Sequence, residues 1–83
     1  RRTAFNFSIV DIPVGAELVF SRDENIKAKV IDNRAIEVGG EITSLSSSAQ
    51  KILGYDYGVA GTDYWMYEGE TLDERRRRFE AGV

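Results

Sequence analysis

Ile26-Lys27-Ala28-Lys29-Val30 decides the fold class. Apolar and charged residues alternate strictly along it, so Ile26, Ala28 and Val30 share one face and the two lysines share the other. A repeat of two is the mark of a strand with one buried and one wet face. The stretch is bounded by turn chemistry on both sides. Ser21-Arg22-Asp23-Glu24-Asn25 precedes it and Asp32-Asn33 follows it, and these residue types favour turns through local hydrogen bonds and tolerance of positive φ. Outward from there, Ala16-Glu17-Leu18-Val19-Phe20 reads as the preceding strand and Ala35-Ile36-Glu37-Val38 as the following one. Gly39-Gly40 turns the chain again, and Glu41-Ile42-Thr43 pairs briefly. The expectation is an antiparallel meander of three to four strands with one solvated face.

The period changes after Thr43. Leu45, Ala49, Ile52 and Leu53 stand at i, i+4, i+7 and i+8, which is one face of a helix. Thr43 or Ser44 is its N-cap candidate and Gly54 its C-terminal glycine, giving a helix over about 44–53. Residues 55–63 show no period and read as a loop. Tyr64-Trp65-Met66-Tyr67 is short and aromatic, hence a strand, and Glu68-Gly69-Glu70 turns. Thr71 and Glu74 match a capping box that opens a final helix over about 71–80, with Leu72 and Phe79 on one face. Residues 1–15 carry Phe5, Phe7, Ile9, Val10 and Ile12, with Pro13 and Gly15 at the exit. They form an N-terminal arm that packs on the core, and 16–83 form a single domain. The fold class is therefore α+β: a small antiparallel meander and a short aromatic strand, packed with two helices.

Bulk composition bounds the function. Eighty-three residues make one domain, and a chain of this size buries only about 60% of its unfolded surface. The hydrophobic share of 42% and charged share of 30% are those of a folded protein rather than a disordered one. There is no cysteine and no histidine, which removes disulfides, thiolate zinc sites and the usual acid/base side chain near neutrality. Asp32, Glu37, Glu41, Glu68 and Glu70 match no calcium loop or catalytic spacing and read as solvated charges at turns. The chain is thus expected to be a non-enzyme without metal or cofactor. No apolar run suits a membrane and no signal peptide is evident, so a cytoplasmic location is the default expectation. The opening Arg1-Arg2 in place of Met suggests a piece of a longer polypeptide.

Taken together, several motifs resemble a known family. Ile12-Pro13-Val14-Gly15-Ala16-Glu17-Leu18 leads into the meander. Gly40, then Ser44-Leu45-Ser46, opens the helix Leu45-Ser46-Ser47-Ser48-Ala49 to Leu53-Gly54. The Tyr64-Trp65 strand and Gly69-x-Thr71-Leu72 close the pattern. This run, about three-quarters of the chain, resembles the RAMA domain, the restriction enzyme and adenine methylase associated domain. The resemblance implies a non-catalytic α+β accessory module, fused to a prokaryotic DNA-modification or defence protein, that senses DNA, with modified DNA among its candidate ligands.

Candidate contacts follow from the residues themselves. Ser46 and Ser47 sit in the first helical turn, where backbone amides and the helix dipole favour an anion; capping alone also explains serine there. Lys51, with Lys27 and Lys29, offers a basic patch or an ordinary solvated face. Arg75-Arg76-Arg77-Arg78 is the one dense basic run, and its side chains fan through about 300° of helix, so only some can meet a partner. Arg75 and Arg76 are the candidates. Among the aromatics Trp65 is expected in the core, leaving Tyr64 or a loop tyrosine to stack a base. The net charge of −3 opposes generalised DNA affinity and supports an alternative reading, a protein–protein or interdomain scaffold. Its apolar arm (Phe5, Phe7, Ile9) would dock on the parent polypeptide or on a second copy.

Overall fold

The computed structural model describes residues 6–81. Six strands form one antiparallel sheet: β1 (Glu17–Phe20), β2 (Asp23–Val30), β3 (Ile36–Val38), β4 (Glu41–Thr43), β5 (Trp65–Tyr67) and β6 (Glu70–Thr71). Two helices, α1 (Leu45–Leu53) and α2 (Leu72–Ala81), and two 3-10 turns, Phe7–Val10 and Gly61–Asp63, complete the fold. The α+β class stands, with a sheet wider than the sequence suggests. Its order is β4-β3-β2-β1-β5-β6. The chain builds β1 to β4 as a meander, crosses through α1, and returns to lay the β5–β6 hairpin on the free edge of β1. Val19 then faces Met66, and Phe20 faces Trp65.

The alternation that marks β2 holds. Ala28 and Val30 are buried while Lys27 and Lys29 are exposed. Yet β2 begins at Asp23, inside the expected turn. Phe20 pairs with Asp23 across a two-residue turn, and a register shift at Val19/Phe20 absorbs the mismatch. Sheet pairing here outweighs the turn preference of Asp23 and Asn25. At the β5–β6 turn Glu68 and Gly69 both have positive φ, 54° and 83°, the backbone a tight two-residue hairpin needs. That hairpin makes Glu70–Thr71 a sixth strand.

One face of the sheet holds the core. Leu18, Phe20, Ala28, Val30, Ile36 and Trp65 meet Leu45 and Ala49 of α1, Leu72 of α2, and Phe7, Val10 and Ile12 of the N-terminal segment. That segment is a capped 3-10 turn, with the Asn6 side chain accepting from the Ile9 amide at 3.1 Å. The apolar side chains of Phe7 and Val10 are each only 1% exposed. Phe5 lies outside the described residues.

Both helices are capped as their sequences indicate. Ser44 Oγ accepts from the Ser47 amide at 3.1 Å, and Gly54 closes α1 in the left-handed region. At α2 the Glu74 amide donates to Thr71 Oγ1 at 3.1 Å, and the Thr71 amide donates to Glu74 Oε1 at 2.9 Å. Trp65 is fully buried, as expected, and its polar edge is satisfied: Nε1 donates to Ser48 Oγ at 3.1 Å. The Ser48 hydroxyl in turn donates to the carbonyls of Ser44 and Leu45. Ser48→Ala would strand the indole N–H in a dry core, at a cost of about 1–3 kcal/mol. Thermal denaturation should show a fall in Tm of roughly 4–8 °C per kcal/mol lost.

Candidate functional site

A cleft of about 340 Å³ opens at the start of α1. Its walls come from five parts of the chain: Phe7 of the first 3-10 turn, Arg34 of the β2–β3 loop, Ser44 to Ser46 at the head of α1, Ala60 to Thr62 around the second 3-10 turn, and Arg76 of α2. Two guanidiniums line it and no carboxylate does. Arg76 is also paired with Glu80 outside the lining, and this donor set suits an anion rather than a metal cation.

Local geometry fixes each wall. The Phe7 amide donates to the Asn33 carbonyl at 2.9 Å, which ties the loop carrying Arg34 to the N-terminal turn. Gly61 is buried on the first turn of α1. A Cβ there would stand 2.3 Å from the Leu45 carbonyl carbon and 2.5 Å from the Ser46 nitrogen, so only glycine fits. Its amide donates to Ser46 Oγ at 3.3 Å. The Ser46 hydroxyl keeps its own proton to offer to a ligand. Arg76 is held along α2 by an ion pair with Glu80 at 3.3 Å.

Of the residues singled out from the sequence, the cleft unites Ser46 and Arg76. Ser47 is exposed in the same turn but outside the lining. Lys51 is exposed and pairs with Glu41 of β4 at 3.2 Å, beside a separate hollow of about 240 Å³. Lys27 and Lys29 lie on the open sheet face. Lys29 sits directly between Glu17 and Glu37 on its neighbouring strands, and Lys27 is 4.0 Å from Glu17, so this face is a self-neutralising lattice of charge. Tyr64 is half-buried. Its ring stacks on Phe20 at 6.1 Å between centroids, and the Arg22 guanidinium lies over it at 5.5 Å.

Arg75 requires a correction. Expected on the helix surface reaching for DNA, it is 6% exposed. Its Nε donates to the Val10 carbonyl at 2.7 Å, and Nη1 donates to Glu68 at 3.0 Å and Glu70 at 3.3 Å. The rings of Tyr67 and Phe79 lie 5.0 and 5.1 Å from its guanidinium. It is a clasp joining the N-terminal turn, the β5–β6 hairpin and α2. Its neighbours are engaged too, Arg77 with Asp73 and Arg78 with Glu70. Arg34 supplies the second cation of the cleft, and sequence reasoning passed over it because an isolated loop arginine carries no pattern.

The hydrogen bond from Arg78, aided by the charge of Arg75, holds the Glu70 carboxyl below the usual glutamate range. A depressed carboxyl contributes stability above its unfolded pKa of about 4.3 and loses that contribution as pH falls through the lower folded value. The Glu70→Gln variant lacks this term. Its melting temperature should therefore fall less between pH of about 5 and about 3 than that of the unaltered chain; equal falls would show that Glu70 does not take part.

The fold and the cleft together define a small α+β domain with a cation-lined hollow at the head of its first helix. Comparison of the sequence with protein-family profiles and with curated proteins finds no match. Among the described residues no helix is long and apolar enough to cross a membrane.

Proposed function

We propose that this chain is a non-catalytic recognition module of a larger prokaryotic DNA-modification or defence protein, and that it contacts DNA through the cleft at the head of α1. One observation carries the DNA contact: Arg34, Arg76 and the Ser46 hydroxyl converge on a hollow that no carboxylate lines. Guanidiniums and hydroxyls are the side chains that position phosphate oxygens. The identity of the parent rests on the sequence resemblance to RAMA domains. The contact would be narrow, since the sheet face and the arginine run, Arg76 with Glu80 included, carry internal carboxylate partners. The scaffold alternative has less support, because Phe7 of the arm is spent in the protein's own core.

A narrow contact makes a quantitative prediction. Arg34 and Arg76 on two phosphates give a slope of at most about −1.8 for log K against log salt on duplex DNA, smaller where Glu80 keeps Arg76, and Arg34→Ala should remove about one unit of it. Anisotropy of labelled duplex, unmodified and base-modified, across a salt series measures both. Absence of binding at low salt, with self-association of the domain, would remove the DNA reading in favour of the scaffold.

A further inference from the structure

The loop between α1 and the second 3-10 turn carries a feature that the cleft does not explain. Tyr55 and Tyr57 stack on one another with centroids 4.9 Å apart and planes 11° from parallel. Tyr55 is half-buried, whereas Tyr57 is 60% exposed, one of the largest apolar surfaces that the described residues leave in water. Stacking covers one face of the Tyr57 ring and fixes its plane, and the solvent-facing side is left to a ligand. A tyrosine has few rotors to freeze, and this one is already held by its neighbour. Tyr64, the other candidate, is occupied by Phe20 and Arg22.

The same loop runs directly into the cation-lined cleft. Ala60 in the cleft wall is three positions on from Tyr57, a reach of at most about 11 Å, which a short single strand bridges. We propose that Tyr57, backed by Tyr55, is a stacking platform for an unpaired nucleobase whose backbone phosphate sits between Arg34 and Arg76. The proposal rests on the DNA reading above and adds the form of nucleic acid recognised: a base outside the duplex stack, in a bulge, a flipped position or a single strand. A neutral glycan also stacks on tyrosine, but it has no use for the two guanidiniums of the cleft. Stacking tolerates any base, so the preference is for unpaired over paired, not for one sequence.

The test compares three labelled oligonucleotides by anisotropy at low salt: a duplex, the same duplex with one extrahelical 2-aminopurine, and the single strand. The expected result is tighter binding of the two forms with an unpaired base, by roughly 5- to 150-fold, with quenching of 2-aminopurine fluorescence. Tyr57→Ala should erase that advantage and leave paired-duplex affinity unchanged, while Tyr57→Phe should retain it. Equal affinity for all three forms, or an advantage that survives Tyr57→Ala, overturns the platform while leaving DNA binding intact. Binding of none of them, or of a neutral oligosaccharide instead, overturns both.

Discussion

Replacing Arg75 by alanine is expected to cost about 1–3 kcal/mol, the range for leaving a buried acceptor without its donor, because the carboxylates it pairs with keep access to water. The loss has three sources. The Val10 carbonyl loses its 2.7 Å donor in a buried setting. Glu70 keeps Arg78 but loses Arg75, and Glu68 loses its 3.0 Å partner. The guanidinium also fills the space between the Tyr67 and Phe79 rings. A domain of this length has a total stability of roughly 4–12 kcal/mol, so the variant should lose a substantial share of it, read as a lower denaturant midpoint and an earlier loss of the near-ultraviolet signal of buried Trp65 on heating. Arg75→Lys keeps the charge but not the planar fork, and one ammonium replaces a group that bonds a carbonyl and two carboxylates at once. It should fall between alanine and arginine. A drop in Tm of a degree or two for Arg75→Ala would show that the clasp is ornamental.

The second large effect is predicted at Gly61. A methyl group there meets backbone, not a flexible side chain, at 2.3–2.5 Å, so the second 3-10 turn and the head of α1 must move apart. Overpacking of this kind costs about 1–3 kcal/mol and sometimes more; with backbone on both sides the upper end is expected, a fall in Tm of roughly 12–24 °C. Because Gly61 also donates to Ser46, Gly61→Ala should distort the cleft in whatever fraction stays folded. An unchanged Tm would mean that the close approach of these segments is not maintained in solution.

These two positions also show where sequence reasoning stops. The strands from β2 to β4 are legible because alternation and Gly39-Gly40 specify them locally, and capping residues mark both ends of α1 and the start of α2. The place of β5 is not local information. Trp65 pairs with Phe20 across 45 residues, and nothing in the aromatic run Tyr64 to Tyr67 says which strand edge it will join. The extension of β2 to Asp23 is likewise decided by its partner strand. Arg75 was hidden inside a run of four arginines, although a signal existed: Leu72, Arg75 and Phe79 lie at i, i+3 and i+7, one stripe of α2. Ser48 carried a similar signal, three residues after Leu45 on the inward face of α1. Arg34 and Gly61 carried none, because both owe their roles to contacts between segments far apart in sequence. The candidate site was therefore half legible, with Ser46 and Arg76 found and their partners missed.

On the proposed reading, an acidic domain would meet a polyanion through a hollow whose lining holds two guanidiniums and no carboxylate. Backbone amide shifts of the 15N-labelled domain during titration with a short duplex test this most directly. The account predicts that the perturbed amides cluster at Arg34, Ser44 to Ser46, Ala60 to Thr62 and Arg76. Shifts concentrated around Lys27 and Lys29 on the open sheet face, or no shifts at low salt, would contradict it.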